Sequence, residues 1–235
     1  MRLRHLNIPP LIVAAVALCA FASAARADSP APPFSYTKPS PDGRFLFVML
    51  PRATLDDEMR RWNEETTAKL RAIRQTYTQS GLYRNDGSST PLWTVDWYSY
   101  DVDVASDGIH LVRHGPWASR TDQEAFSFFA NGKLVRIYAI SELIDLKFLL
   151  SQSVSHFQWS DGGWLDDAAL RYAISTKDGN TFVFDITSGA IVQETRHARM
   201  KKWAAFAIIA VVVVALIVRA ARRRKIRVPS HPAAA

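Results

Sequence analysis

From Trp203 to Val218 the chain runs sixteen residues without a charge, bounded by Lys201 and Lys202 on one side and Arg219 on the other. So apolar a run has two stable surroundings, a bilayer or the buried centre of a large fold. Six basic residues follow within nine positions, Arg219, Arg222, Arg223, Arg224, Lys225 and Arg227, and that flank favours the bilayer. At about 1.5 Å per residue the run covers ~24 Å, short of a ~30 Å hydrocarbon core, and the methylene stems of Lys202 and Arg219 extend it. A single transmembrane helix at 203–218 is expected, with the lipid bilayer as partner and 219–235 as a basic cytoplasmic tail.

A second apolar stretch, Leu11 to Phe21, follows Arg2 and Arg4 and leads to Ala25-Arg26-Ala27. It is too short to span a membrane and has the three-part layout of a signal peptide, so residues 1–27 are expected to be removed. Ala22-Ser23-Ala24 offers an alternative cut after Ala24. The only cysteine, Cys19, falls inside the removed stretch, which leaves the mature chain without a disulfide or a thiol nucleophile.

The formal charge of +7 suggests nucleic acid until the charges are placed along the chain. Residues Asp28 to Met200 hold 18 of the 29 Lys and Arg but all 22 Asp and Glu, a net of −4. The basic excess flanks the two apolar segments, so no nucleic-acid partner is expected. The exported part also lacks an Asn-x-Ser/Thr acceptor. With the missing cysteines, this points to a bacterial cell membrane, with the N-terminal domain outside the cytoplasm, periplasmic or at the cell surface.

Between the apolar segments lies enough chain for one domain. Residues 28–41, with Pro30, Pro32, Pro33, Pro39 and Pro41, read as an extended, weakly ordered leader, and 42–200 as a β-rich extracytoplasmic domain. Strands are predicted over Arg44 to Leu50, Leu92 to Trp97, Ile109 to His114, Lys133 to Ile140 and Thr181 to Ile186. They are punctuated by Asp42-Gly43, Asp86-Gly87, Asp107-Gly108, Asn131-Gly132 and Asp178-Gly179 turns. Leu55, Met59, Trp62, Leu70, Ile73 and Tyr77 recur at helical spacing, which predicts one long amphipathic helix from Leu55 to Tyr77 with Thr54 as N-cap. A short helix is placed in Ser141 to Leu149. The fold class is mainly β, an antiparallel meander of propeller-like kind, with that helix and the C-terminal membrane helix.

Two segments carry a resemblance. TFVFDITSGAIV, Thr181 to Val192, resembles the end of a blade in WD-repeat or quinoprotein-like β-propellers, and SPDGRFLFV, Ser40 to Val48, resembles the turn that leads into such a strand. The resemblance implies blade-like sheets; a closed propeller needs at least four blades. The run from Leu82 to Ser119 also resembles uncharacterised exported bacterial proteins, which implies export and no activity.

Leu111-Val112-Arg113-His114-Gly115 resembles the LVRHG signature of histidine phosphatases, which would make His114 the nucleophile and Arg113 a phosphate clamp. Here the motif sits mid-chain and Pro116 follows it; His156 is the only second histidine nearby, and the downstream chain reads as strands. A strand ending in a glycine turn is the favoured reading, with an anchored envelope hydrolase as the alternative function. Asp101, Asp103 and Asp107-Gly108 suggest a calcium loop, but Ala105 replaces a ligand and Ser106 stands where glycine is required. No metal or cofactor is expected, and no catalytic set. Trp93, Trp97 and Trp117, near Asp96, Tyr98 and Arg120, are the candidate binding residues, since an aromatic face with polar neighbours stacks a sugar or grips a peptide, but a place in the core is the favoured reading of such rings. The expectation is a membrane-anchored binding or scaffolding domain with an envelope protein or glycan as partner.

Overall fold

The computed structural model describes residues 31–60, 62–152 and 155–226. Residues 1–27, where a signal peptide is expected, and the end of the basic tail lie outside the described residues.

The domain consists of three antiparallel sheets, each of four strands in chain order. The first holds β1 (Tyr36–Pro39), β2 (Phe45–Met49), β3 (Gly81–Arg84) and β4 (Pro91–Thr94). The second holds β5 (Val102–Val104), β6 (His110–His114), β7 (Glu124–Ala130) and β8 (Lys133–Ala139). A two-stranded pair, β9 (Ser151–Gln152) with β10 (Phe157–Gln158), precedes the third sheet. That sheet holds β11 (Ser160–Asp166), β12 (Arg171–Thr176), β13 (Asn180–Asp185) and β14 (Ile191–Arg196). The expected meander is therefore present. Tyr36–Pro39, inside the segment expected to be a weakly ordered leader, instead pairs with β2 as the first strand.

Alternation explains the stacking. One face of the second sheet meets the first sheet, where Val102, Val104, Leu111 and Phe129 join Phe47, Met49, Leu82 and Trp93 in one core. The other face meets the third sheet, where Val112, Phe126, Phe128 and Tyr138 join Tyr172, Ile174, Phe182 and Phe184. β7 is thus buried on both sides, as its apolar run EAFSFFA requires. Phe126 sits at the centre of the second core, with ring centroids 5.0 Å from Phe184, 5.2 Å from Tyr172 and 5.5 Å from Tyr138. Each such ring contributes ~1.5–3 kcal/mol by burial, and each well-oriented pair adds ~0.5–1.5 kcal/mol. Asn131 and Gly132 link β7 to β8, both with positive φ (49° and 74°), the backbone of the two-residue hairpin turn that Asn-Gly favours.

The long helix predicted over Leu55 to Tyr77 is two helices, α1 (Leu55–Met59) and α2 (Glu64–Thr76). Thr54 caps α1 as expected, accepting from Asp57 N. Asn63 is extended and its side chain accepts from Thr66 N at 2.9 Å, so it starts a new helix rather than continuing the old one. Glu58 fixes the angle between them. Its fully buried carboxylate pairs with Arg74 of α2 and accepts from Ser35 N at 2.7 Å. Tyr77 rests on Tyr83 of the first sheet, with ring centroids 4.6 Å apart. The short helix expected in Ser141 to Leu149 is one turn, α3 (Ile140–Leu143), followed by a 3-10 turn at Lys147–Leu149.

α4 (His197–Ile226) begins at the residue after β14. Its segment His197–Arg219 is long and apolar enough to cross a membrane, and none of that apolar window is covered by the rest of the chain. At about 1.5 Å per residue the segment covers roughly 35 Å, more than the charge-free run alone. A buried polar knot secures its start. Asn180 Oδ1 accepts from Ala198 N at 3.1 Å, while Asn180 Nδ2 donates to Leu143 O and Asp145 Oδ2, each at 3.0 Å. Asp178 accepts from Asp145 N and Leu146 N at 2.6 and 2.9 Å, and Thr176 donates to it. Arg196 and Arg199 both reach Asp145 at 3.4 Å.

Candidate functional site

Two groups of residues that the sequence singles out turn out to satisfy each other. β5 and β6 are antiparallel with Asp103 opposite Val112, which makes Asp103 and His114 diagonal neighbours on one face. His114 Nε2 lies 2.8 Å from Asp103 Oδ2, and His110 Nδ1 lies 2.5 Å from Asp107 Oδ2. Burial pushes the Asp107 carboxyl up, but hydrogen bonds from the His110 ring and from the His110 and Ile109 backbone outweigh it and hold it below the usual carboxylate range. Two acids of the calcium-like segment, Asp103 and Asp107, are therefore partners of histidines on β6, and the third, Asp101, pairs with Lys38 at 2.9 Å. Tyr172 stands edge-on to His114 and is pushed above the usual phenol range, first by burial and then by Asp103 and Asp101.

Arg113 lies on the opposite face of β6, as strand alternation dictates. Its Nε donates to Glu124 Oε1 at 3.0 Å and Ser127 Oγ at 3.1 Å, and its guanidinium covers Trp97 and Phe129 at 4.9 and 5.1 Å. Arg113 and His114 both line a cleft of about 220 Å³, but their side chains leave opposite faces of β6 and are held by Glu124 and Asp103. Among the described residues no group of three or more His, Cys, Asp or Glu is placed to hold a metal ion.

The three candidate tryptophans part company. Trp93 is in the first core, and its Nε1 donates to Gly108 O at 3.0 Å. Trp97 packs on the same core with its ring taken up by Phe47, Phe129 and Arg113; its Nε1 is buried with no partner among the described residues. The edge of Trp97 reaches a cleft of about 630 Å³ shared with Pro33, Pro51, Arg52, Asp96 and Tyr98. The Tyr98 hydroxyl there is already committed, accepting from Phe34 N at 3.0 Å and donating to Phe34 O at 3.1 Å. Its pKa is pushed up to about 12, chiefly by burial.

Trp117 alone of the three presents its ring, at 43% exposure. It lines an open groove of about 520 Å³ with His156, Gln158, Trp159 and Asp161. The groove has a local cause. Gly115 donates to Ala125 O at 3.0 Å, and a Cβ on it would lie 2.0 Å from Glu124 O, so only glycine lets β6 end this close to β7. Pro116 then directs Trp117 outward, and Ala118 O accepts from Phe157 N at 2.8 Å, which brings the β10 segment alongside. The Trp117 and His156 rings are 4.4 Å apart. Trp159 packs against the second core, and Asp161 pairs with Lys177. The groove thus offers one open aromatic face, a second aromatic edge and the Gln158 amide, beside the His156 ring that packs on Trp117 and the Asp161 carboxylate held by Lys177. Arg120, named with these residues from the sequence, is instead exposed and pairs with Asp122 at 2.9 Å.

Sequence reasoning did not single out Gln158, Trp159 or Asp161. The signal available was the run His156-Phe157-Gln158-Trp159, whose alternation buries Phe157 and leaves Gln158 exposed. Set against known proteins, the chain matches no family model, no curated protein and no solved structure.

Proposed function

We propose that the chain is a membrane-anchored, extracytoplasmic binding module whose ligand surface is the Trp117 groove, and that its ligand is a glycan of the bacterial envelope. One observation carries this reading: of the three candidate tryptophans, only Trp117 has an open face, and it stands among His156, Gln158 and Asp161. A sugar ring needs an apolar face to stack on and hydrogen-bonding groups at its rim, and the groove supplies both. Hydrolysis through His114 has less support, because its ring is paired with Asp103 and Arg113 faces away. The anchoring half of the proposal rests on His197–Arg219, with the domain outside and the basic tail in the cytoplasm. The three stacked meanders support a propeller-like ancestry for the scaffold, as an open stack of three blades.

Titration of the full chain in detergent with soluble N-acetylhexosamine oligosaccharides, followed by tryptophan fluorescence, tests the proposal. Saturable binding is expected, weakened at least tenfold by Trp117→Ala and unchanged by Trp164→Ala, a ring 60% exposed on the third sheet. Absence of saturable binding, or equal loss in both variants, overturns it.

A further inference from the structure

The 3-10 turn Lys147–Leu149 sits beside α4, where Asp145, Leu146, Lys147 and Phe148 line a groove of about 580 Å³ with Lys201, Ala205, Phe206 and Ile209. Phe148 is 80% exposed, the barest aromatic ring of the described domain. A lone phenyl ring held in water on a turn gains nothing from folding, and Lys147 next to it gives the turn a charge that prefers lipid headgroups. We infer that this turn is a second membrane contact: Phe148 inserts into the outer interfacial layer of the lipid bilayer beside α4, and Lys147 and Lys201 lie at headgroup level. The inference rests on the reading of α4 as the membrane-spanning segment.

Depth supports the assignment. Along α4, Phe206 lies five residues past Lys201 and Ile209 eight, about 8 and 12 Å at 1.5 Å per residue. With Lys201 among the headgroups, the groove shared by Phe148 and these residues reaches the layer ~5–10 Å deep where interfacial aromatic side chains reside. The turn is also stiffly mounted. Asp178 holds the backbone N–H groups of Asp145 and Leu146, and Asn180 holds both Leu143 and the first turn of α4. One buried knot therefore fixes the height of the turn relative to the helix. That arrangement suits a lipid surface, which presents one plane to both elements, and the apolar residues on the helix side of the groove are continuous with the spanning segment.

Nitroxide labelling of the full chain reconstituted in vesicles of phosphatidylethanolamine and phosphatidylglycerol tests this. In a Cys19→Ser background, which removes the only native cysteine, labels are placed singly by Phe148→Cys, Val212→Cys and Ser188→Cys. Val212 is in α4, and Ser188 is exposed at the far end of β14 from the helix. Expected is faster relaxation by oxygen than by a water-soluble nickel chelate at 148 and 212, and the reverse at 188. Nickel access at 148 equal to that at 188, with 212 in lipid, overturns the inference and leaves the spanning helix standing. Shielding of 148 from both reagents shows a protein cover and also overturns it. Nickel access at 212 removes the spanning reading, and the inference falls with it.

Discussion

Arg74→Met is expected to be the most damaging substitution near the surface of the helical layer. Arg74 donates to Ser35 Oγ at 3.1 Å, Pro51 O at 2.9 Å and Ala53 O at 2.8 Å, and pairs with Glu58. Glu58 has a fully buried side chain, and without Arg74 its remaining donor among the described residues is Ser35 N at 2.7 Å. Removing one partner of such a pair leaves an uncompensated charge and costs ~3–5 kcal/mol. Glu58→Gln costs less, ~1–3 kcal/mol: both carboxylate oxygens face donors, and an amide has a single oxygen, so one donor is opposed by another. The double variant should cost about as much as Arg74→Met alone, because with the guanidinium gone the neutral amide is the better occupant of the site. Urea unfolding of the detergent-solubilised chain, followed by tryptophan fluorescence, measures all three. An Arg74→Met cost below ~1 kcal/mol, or additive effects in the double variant, would refute the reasoning.

Trp93→Phe is expected to cost ~1–3 kcal/mol more than Trp97→Phe, because the first strands the Gly108 carbonyl while the second removes an indole N–H that has no partner among the described residues; equal costs in denaturant melts contradict this. Gly115→Ala should destabilise by at least ~1–3 kcal/mol, since its Cβ would overlap Glu124 O, and should weaken any ligand at Trp117; an unchanged melting midpoint counts against the account of the groove. Asp145 is pushed up by burial, but its hydrogen bond from Asn180 and the charges of Arg196 and Arg199 hold its carboxyl below the usual range. A depressed folded pKa contributes stability that is present above the unfolded value near ~3.9 and lost as pH falls through the folded value. Protection of the Ala198 amide, taken as the ratio of intrinsic to observed exchange rate at each pH, should therefore fall on acidification below about pH 4, and Asp145→Asn should remove that dependence.

Much of the scaffold was legible because its causes are local. Asn131-Gly132 specifies a hairpin by itself, and the run in β7 announces a strand buried on both sides. The break between α1 and α2 was not legible, because a stripe from Leu55 to Tyr77 fits one helix as well as two. Asn63 breaks it only in concert with Glu58 and Arg74, sixteen positions apart. The candidate site was half legible for the same reason. Composition drew attention to tryptophans, but whether a ring is core or surface depends on which sheet covers it, and Trp93, Trp97 and Trp117 differ there alone. The histidine and aspartate motifs read as ordinary strand residues, and the chain alone does not show that the antiparallel register of β5 and β6 brings Asp103 to His114.

The passage from β14 straight into α4 has a mechanical consequence. Arg196 ends the strand, His197 begins the helix, and no flexible residue absorbs torque between them. Turning α4 about its long axis therefore swings the whole stack of sheets like an arm on a shaft. Two copies whose helices met side by side in a bilayer would hold their Trp117 grooves at one fixed mutual angle, set by the contact between helices rather than by the domains themselves.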